Sequence, residues 1–164
     1  MYFLMTWIPA LMEYSGFTAA TGRTAFFLFN LGGVIGIWLL GAISTKAKLS
    51  NIVSTFLLLS AVLLIVFAAS PNQRTLLLAL VLAIGILFQG GFTGLYAVAA
   101  KVYPASFRST GVGWAIGLGR AGAVIGPGAA GFLIAAGFDM SANFYIFSVP
   151  VILGGIIAYR LHVR

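Results

Sequence analysis

The sequence predicts an all-α membrane protein, a single transmembrane helical domain over residues 1–164, and three observations carry that expectation. The chain is 62% hydrophobic and only 7% charged, well outside the usage of soluble domains. Uncharged apolar runs recur at Thr24–Thr45, Leu49–Gln73, Thr75–Ala100, Ala121–Phe138 and Met140–Tyr159. Each is about 18–26 residues, the length that crosses a bilayer. The cations lie between these runs and form no patch interleaved with aromatics. The net charge of +7 therefore reads as membrane topology and not as a nucleic-acid surface.

In chain order, the first span is residues 1–14. Only about 12 mainly apolar residues precede Glu13, a reach of about 18 Å against a hydrocarbon core of about 30 Å. No basic segment opens it, so it does not read as a signal peptide. The expectation is a truncated helix, from an internal start or a longer protein. Five complete spans follow, at about residues 23–43, 50–69, 75–100, 109–136 and 143–159. Ser70-Pro71-Asn72 and Gly137-Phe138-Asp139 are turn chemistry. Alternating passes put Lys46, Lys48, Lys101, Arg108, Arg160 and Arg164 on one side. Arg23 and Arg74 fall on the other, with Glu13 and Asp139. That excess predicts a cytoplasmic C-terminus, in a bacterial inner membrane. Trp7, Trp38 and Trp114 lie deeper than an interfacial belt and are expected to face other helices.

Small residues mark helix contacts where lipid offers no hydrophobic drive. The pairs are Gly32/Gly36, Gly90/Gly94, Gly113/Gly117 and Gly122/Gly126. The fifth span is densest in glycine and contains Pro127, so a bend is expected there. Gly117-x-Gly119-x-x-Gly122 matches a dinucleotide fingerprint, but no strand precedes it and no βαβ unit surrounds it. Helix packing explains it better.

Chemistry concentrates at Arg120. It stands in an acid-free stretch, about 18 Å from Arg108 along a helix, near mid-bilayer. A guanidinium there costs about 2.5–3.5 kcal/mol, so it should face a wet cavity or a partner. The only acids, Glu13 and Asp139, read as loop or interface residues, which leaves a small anionic substrate as the counter-charge. Guanidinium suits carboxylate through paired hydrogen bonds. In the fourth span Gly85, Gln89, Phe92, Thr93, Tyr96 and Ala100 form one helical stripe. It mixes hydrogen-bonding groups with rings, as a site for an aromatic polar solute would, or as interhelical glue. Phe26, Asn30, Gly33 and Ile37 form a similar stripe in the second span, where Asn30 needs a polar partner. Glu13 is a candidate proton carrier. With no cysteine and one histidine, His162, the chain offers no hydrolytic triad, metal cluster or cofactor site, and no enzyme is expected.

Two segments carry a resemblance. Lys101-Val-Tyr103-Pro104-Ala-Ser-Phe-Arg108 with Ser-Thr-Gly111-Val-Gly113-Trp114 resembles the loop between helices ten and eleven of the major facilitator superfamily. Gly113-Trp114-Ala-Ile-Gly117-Leu-Gly119-Arg120-Ala-Gly122 through Gly126-Pro127 is similar to helix eleven of its aromatic acid:proton symporter family. Phe29-Asn30, Thr93-Gly94-Leu95-Tyr96 and Trp7-Ile-Pro9 match helices eight, ten and seven. Over the whole chain the resemblance implies the C-terminal half of a twelve-helix fold: a truncated helix seven and helices eight to twelve. It implies a secondary active transporter, proton-coupled, taking up aromatic carboxylates such as hydroxybenzoate-like acids. A missing N-terminal six-helix half and the lipid bilayer would be its partners. Arg120 would hold the carboxylate, with Gln89, Phe92, Tyr96 and Asn30 around the ring, and Lys46, Lys101 and Arg108 in the gating loops. The loop after the second span departs from the family pattern. Thr45 stands where an acid is usual, Lys48 where glycine is, and Lys101 replaces the glutamate before the Tyr-Pro pair. Two other readings remain: a non-transporting remnant or regulatory membrane partner, and an organic-ion or sugar carrier of the same superfamily.

Overall fold

The computed structural model describes residues 1–70 and 73–161. Pro71 and Asn72 of the expected turn lie outside them, as do His162 and Arg164. The fold is all-helical among the described residues. In order come α1 (Tyr2–Tyr14), α2 (Ala19–Ser44), α3 (Leu49–Ala69), α4 (Arg74–Ile84), a π turn (Gly85–Gln89), α5 (Gly90–Val102), α6 (Arg108–Ala135) and α7 (Met140–Arg160). Taking Arg74–Val102 as one, five helices are long and apolar enough to cross a membrane. At 13 residues α1 is not among them.

Local chemistry sets the ends. Thr18 caps α2, its Oγ1 accepting from the Thr21 amide at 3.4 Å. The helix therefore begins four residues before Arg23, where the sequence pattern placed the edge. Gly16 and Gly137 have φ of +83° and +89°, a region glycine enters without strain. Behind them the amides of Phe17 and Phe138 donate to Met12 and Leu133 carbonyls, both at 3.0 Å. Both α1 and α6 thus end in a Schellman turn.

Contact pairs give the bundle's geometry. Gly155 lies against Leu58, and the Phe67 and Phe144 rings sit 5.3 Å apart, so α3 and α7 run antiparallel over their length. The pairing is extensive. α2 runs parallel to the α4–α5 rod, with Gly32, Gly36 and Leu40 facing Leu82, Ile86 and Gly94 in turn. Their backbones touch. A Cβ on Gly90 would lie 2.8 Å from the Gly36 carbonyl oxygen, and one on Gly36 would collide with the carbonyl of Ile86. The core lies beside this crossing, with Met12, Phe29, Val81, Ile84 and Phe144 fully buried. One end of the bundle carries Lys46, Lys48, Lys101, Arg108 and Arg160; the other carries Glu13, Arg23, Arg74 and Asp139.

α6 is different. Ala130 is its only buried residue, and it touches α1, α5 and α7 sparsely. A Cβ on Gly113, Gly117, Gly119, Gly122 or Gly128 would meet nothing within 4 Å. The glycine pairs of the sequence therefore divide: Gly32/Gly36 and Gly90/Gly94 pack inside the chain, while Gly113/Gly117 look outward. The three tryptophans divide as well. Trp38 and Trp114 are 70% and 66% exposed, and only Trp7 turns inward, toward Gly131.

Candidate functional site

The sequence stripe on the fourth span is divided by the π turn. A π turn holds more than 3.6 residues, so it rotates the helix face that follows. Gln89 points into α2, where its Nε2 donates to the Phe29 carbonyl at 2.9 Å over the bare backbone of Gly33. Phe88 instead continues the line of Phe92 and Tyr96. The Phe88 and Phe92 rings are parallel at 6.2 Å, and Phe92 meets Tyr96 edge-on at 5.5 Å. Tyr96 is partly exposed at the end of this ladder. Asn30 is half-buried and returns its Nδ2 to the Phe26 carbonyl of its own helix at 2.8 Å, which supplies the partner a mid-membrane amide needs.

Phe88 and Phe92 form one wall of a cavity of about 400 Å³ between α1, α3, α5, α6 and α7. Phe3 and Phe147, stacked at 3.9 Å and 11°, form another wall. Gly119, Gly122, Ala123 and Gly126 of α6 supply a third, almost without side chains. The sequence reading missed Phe3, Phe88 and Phe147, because it searched for polar groups and the cavity is walled by carbon. A Phe88/Phe92 spacing of four was the available signal.

Arg120 is exposed and does not line the cavity itself. It lies on the flank of the same stretch of α6, between Gly119 and Gly122. Among the described residues no polar group is bonded to it. Glu13 and Asp139 are exposed at the bundle's far end. Lys46, Lys101 and Arg108 gather at the opposite end, where Arg108 Nε reaches the Tyr103 carbonyl at 3.5 Å. The arrangement can accept an anion on α6 and an aromatic ring beside it. Among the described residues no cluster of metal-ligating side chains occurs.

Membrane-length helices crossing on glycine define an integral, polytopic helical membrane protein. The chain belongs to the Major Facilitator Superfamily, whose profile matches residues 1–164. It is 31% identical over 163 residues to the benzoate transport protein of Acinetobacter baylyi, covering 99% of this chain and 35% of that one. It is 32% identical over 154 residues to the 4-hydroxybenzoate transporter PcaK of Pseudomonas aeruginosa, covering 93% and 34%. With the gentisate transporter of Corynebacterium glutamicum the identity is 33% over 162 residues, 94% of this chain and 35% of the relative. The chain thus spans about a third of the length of these curated relatives. No solved structure matches it.

Proposed function

We propose that the chain forms the C-terminal half of a secondary transporter for aromatic carboxylates, coupled to protons and working with an N-terminal six-helix half. The observation that carries this reading is Arg120, a cation with no bonded partner among the described residues, on a glycine-rich membrane-length helix. Such a charge favours a ligand that brings its own carboxylate. The printed functions of the relatives, which concern benzoate, 4-hydroxybenzoate and gentisate, support the same substrate class. The outward glycines of α6 leave a surface on which a second half could pack closely and rock. Five cations at one end of the bundle support a cytoplasmic C-terminus in a bacterial inner membrane. No step here calls for an enzyme or a cofactor.

The test is a ligand panel on membranes containing the chain. Radiolabelled 4-hydroxybenzoate should bind saturably and be displaced by benzoate and gentisate. Displacement by glucose or tetraethylammonium, with no effect of benzoate, would assign the chain to a sugar or organic-ion carrier instead.

A further inference from the structure

The π turn sits in a stretch with little helical preference of its own. Gly85-Ile86-Leu87-Phe88-Gln89-Gly90-Gly91 holds three glycines in seven residues, and glycine is the poorest helix former after proline. A π turn is also rare enough that local contacts have to hold one in place. Those contacts converge on one atom of α2. The Phe29 carbonyl oxygen accepts from Gln89 Nε2 at 2.9 Å and lies against the bare backbone of Gly85. The first and last residues of the turn are thus clamped by the same oxygen. The Gln89 side chain can reach it because Gly33 has no Cβ in the way.

The rod is anchored unequally on the two sides of the turn. α4 buries Leu77, Val81 and Ile84 in the core. α5 buries one side chain, Val98, and otherwise only Gly90, Gly91 and Gly94, which set no ridge against α2 or α3. A π turn takes up about one residue more than an α turn. Straightening it turns the helix beyond by up to about 100° and lengthens the rod by about 1.5 Å, the step of one α-helical residue.

We propose that Gly85–Gln89 is a register switch in the fourth span, held in its π form by the Phe29 carbonyl. When Gln89 lets go, the turn relaxes to α and α5 revolves about its own axis while α4 stays fixed. Phe92 and Tyr96 are carried round with α5. The motion reaches the Tyr103–Phe107 connection and the first residue of α6, Arg108. The switch is a property of the helix pair and needs no bound ligand, so it stands or falls separately from the substrate reading.

The experiment uses the chain in lipid nanodiscs with a nitroxide on one introduced cysteine at a time, which the absence of native cysteine allows. Tyr96→Cys, Ala97→Cys, Val98→Cys and Ala99→Cys sample one turn of α5. Leu76→Cys, Leu77→Cys, Leu78→Cys and Ala79→Cys sample one turn of α4. Oxygen gathers in lipid and collides least with labels that face the bundle, so its collision rate reads the rotation of each helix. Without further change the minima should fall at Val98 and Leu77, the buried position of each turn. Gln89→Met keeps a side chain of similar length over Gly33 and removes the donor. It should move the α5 minimum one residue back, from Val98 to Ala97, and leave the α4 minimum at Leu77. Deleting Leu87 takes out the extra residue, so α5 should keep its minimum at Val98 even with Gln89→Met added. A minimum that stays at Val98 in Gln89→Met would overturn the switch. A shift of α4 together with α5, or one that persists after Leu87 is deleted, would overturn it too. Gln89→Met decides the matter alone if the deletion does not fold.

Discussion

Gln89 and Arg120 show how far residue type alone can be trusted. Both are polar groups in apolar helices, and both invite a ligand. Gln89 is buried with its amide bonded to the Phe29 carbonyl, so its first role is to tie the π turn to α2. Gln89→Leu should lower stability by about 0.6–2 kcal/mol, the range for interhelical hydrogen bonds in membranes, as measured by denaturant titration in mixed micelles. Benzoate affinity should stay near wild type. An unchanged stability with a lost affinity would show that Gln89 meets the ligand. Arg120 stands out in the sequence because a charge in a long uncharged helix is rare and its depth follows from counting residues. Gln89 could not be assigned that way. Its direction depends on the π turn, and no periodicity in Gly85–Gln89 announces one.

Among the elements, α2 and α6 are both glycine-rich and behave oppositely. Gly32, Gly33 and Gly36 of α2 are filled by the π turn and its flanks, whereas Gly113, Gly117, Gly119, Gly122 and Gly128 of α6 face open space. Adding one methyl group separates the two cases. Gly36→Ala must push α2 away from the Ile86 carbonyl and should cost about 1–3 kcal/mol in the same titration. Gly117→Ala should stay within about 0.5 kcal/mol of wild type. Equal losses at both positions would mean that α6 packs on the bundle more tightly than its exposure indicates. Helix existence and number were legible, because apolar runs of bilayer length have few other interpretations. Helix edges were less so. α2 starts at Ala19 because Thr18 caps it, and a cation such as Arg23 does not end a helix merely by leaving the hydrocarbon.

For the whole molecule, the asymmetry of charge and the loosely held α6 point the same way. One end of the bundle is cationic, and α6 is sparsely packed against the rest of the chain. The chain has no cysteine, so single cysteines report topology cleanly. On the proposed orientation, Asp139→Cys should react with an impermeant maleimide in intact cells, and Lys46→Cys only after permeabilisation. The reverse pattern would invert the assignment. The cavity itself was invisible in sequence, since Phe3, Phe88 and Phe147 come from three separate helices and meet only in the folded bundle. Whether the molecule is built around an anion is decided most directly by benzoate binding to the intact chain. Arg120→Ala should lower the affinity about tenfold or more, and Arg120→Lys should recover only part of it, since an ammonium keeps the charge but not the paired hydrogen bonds. Benzoate bound equally well by wild type and Arg120→Ala would contradict the account.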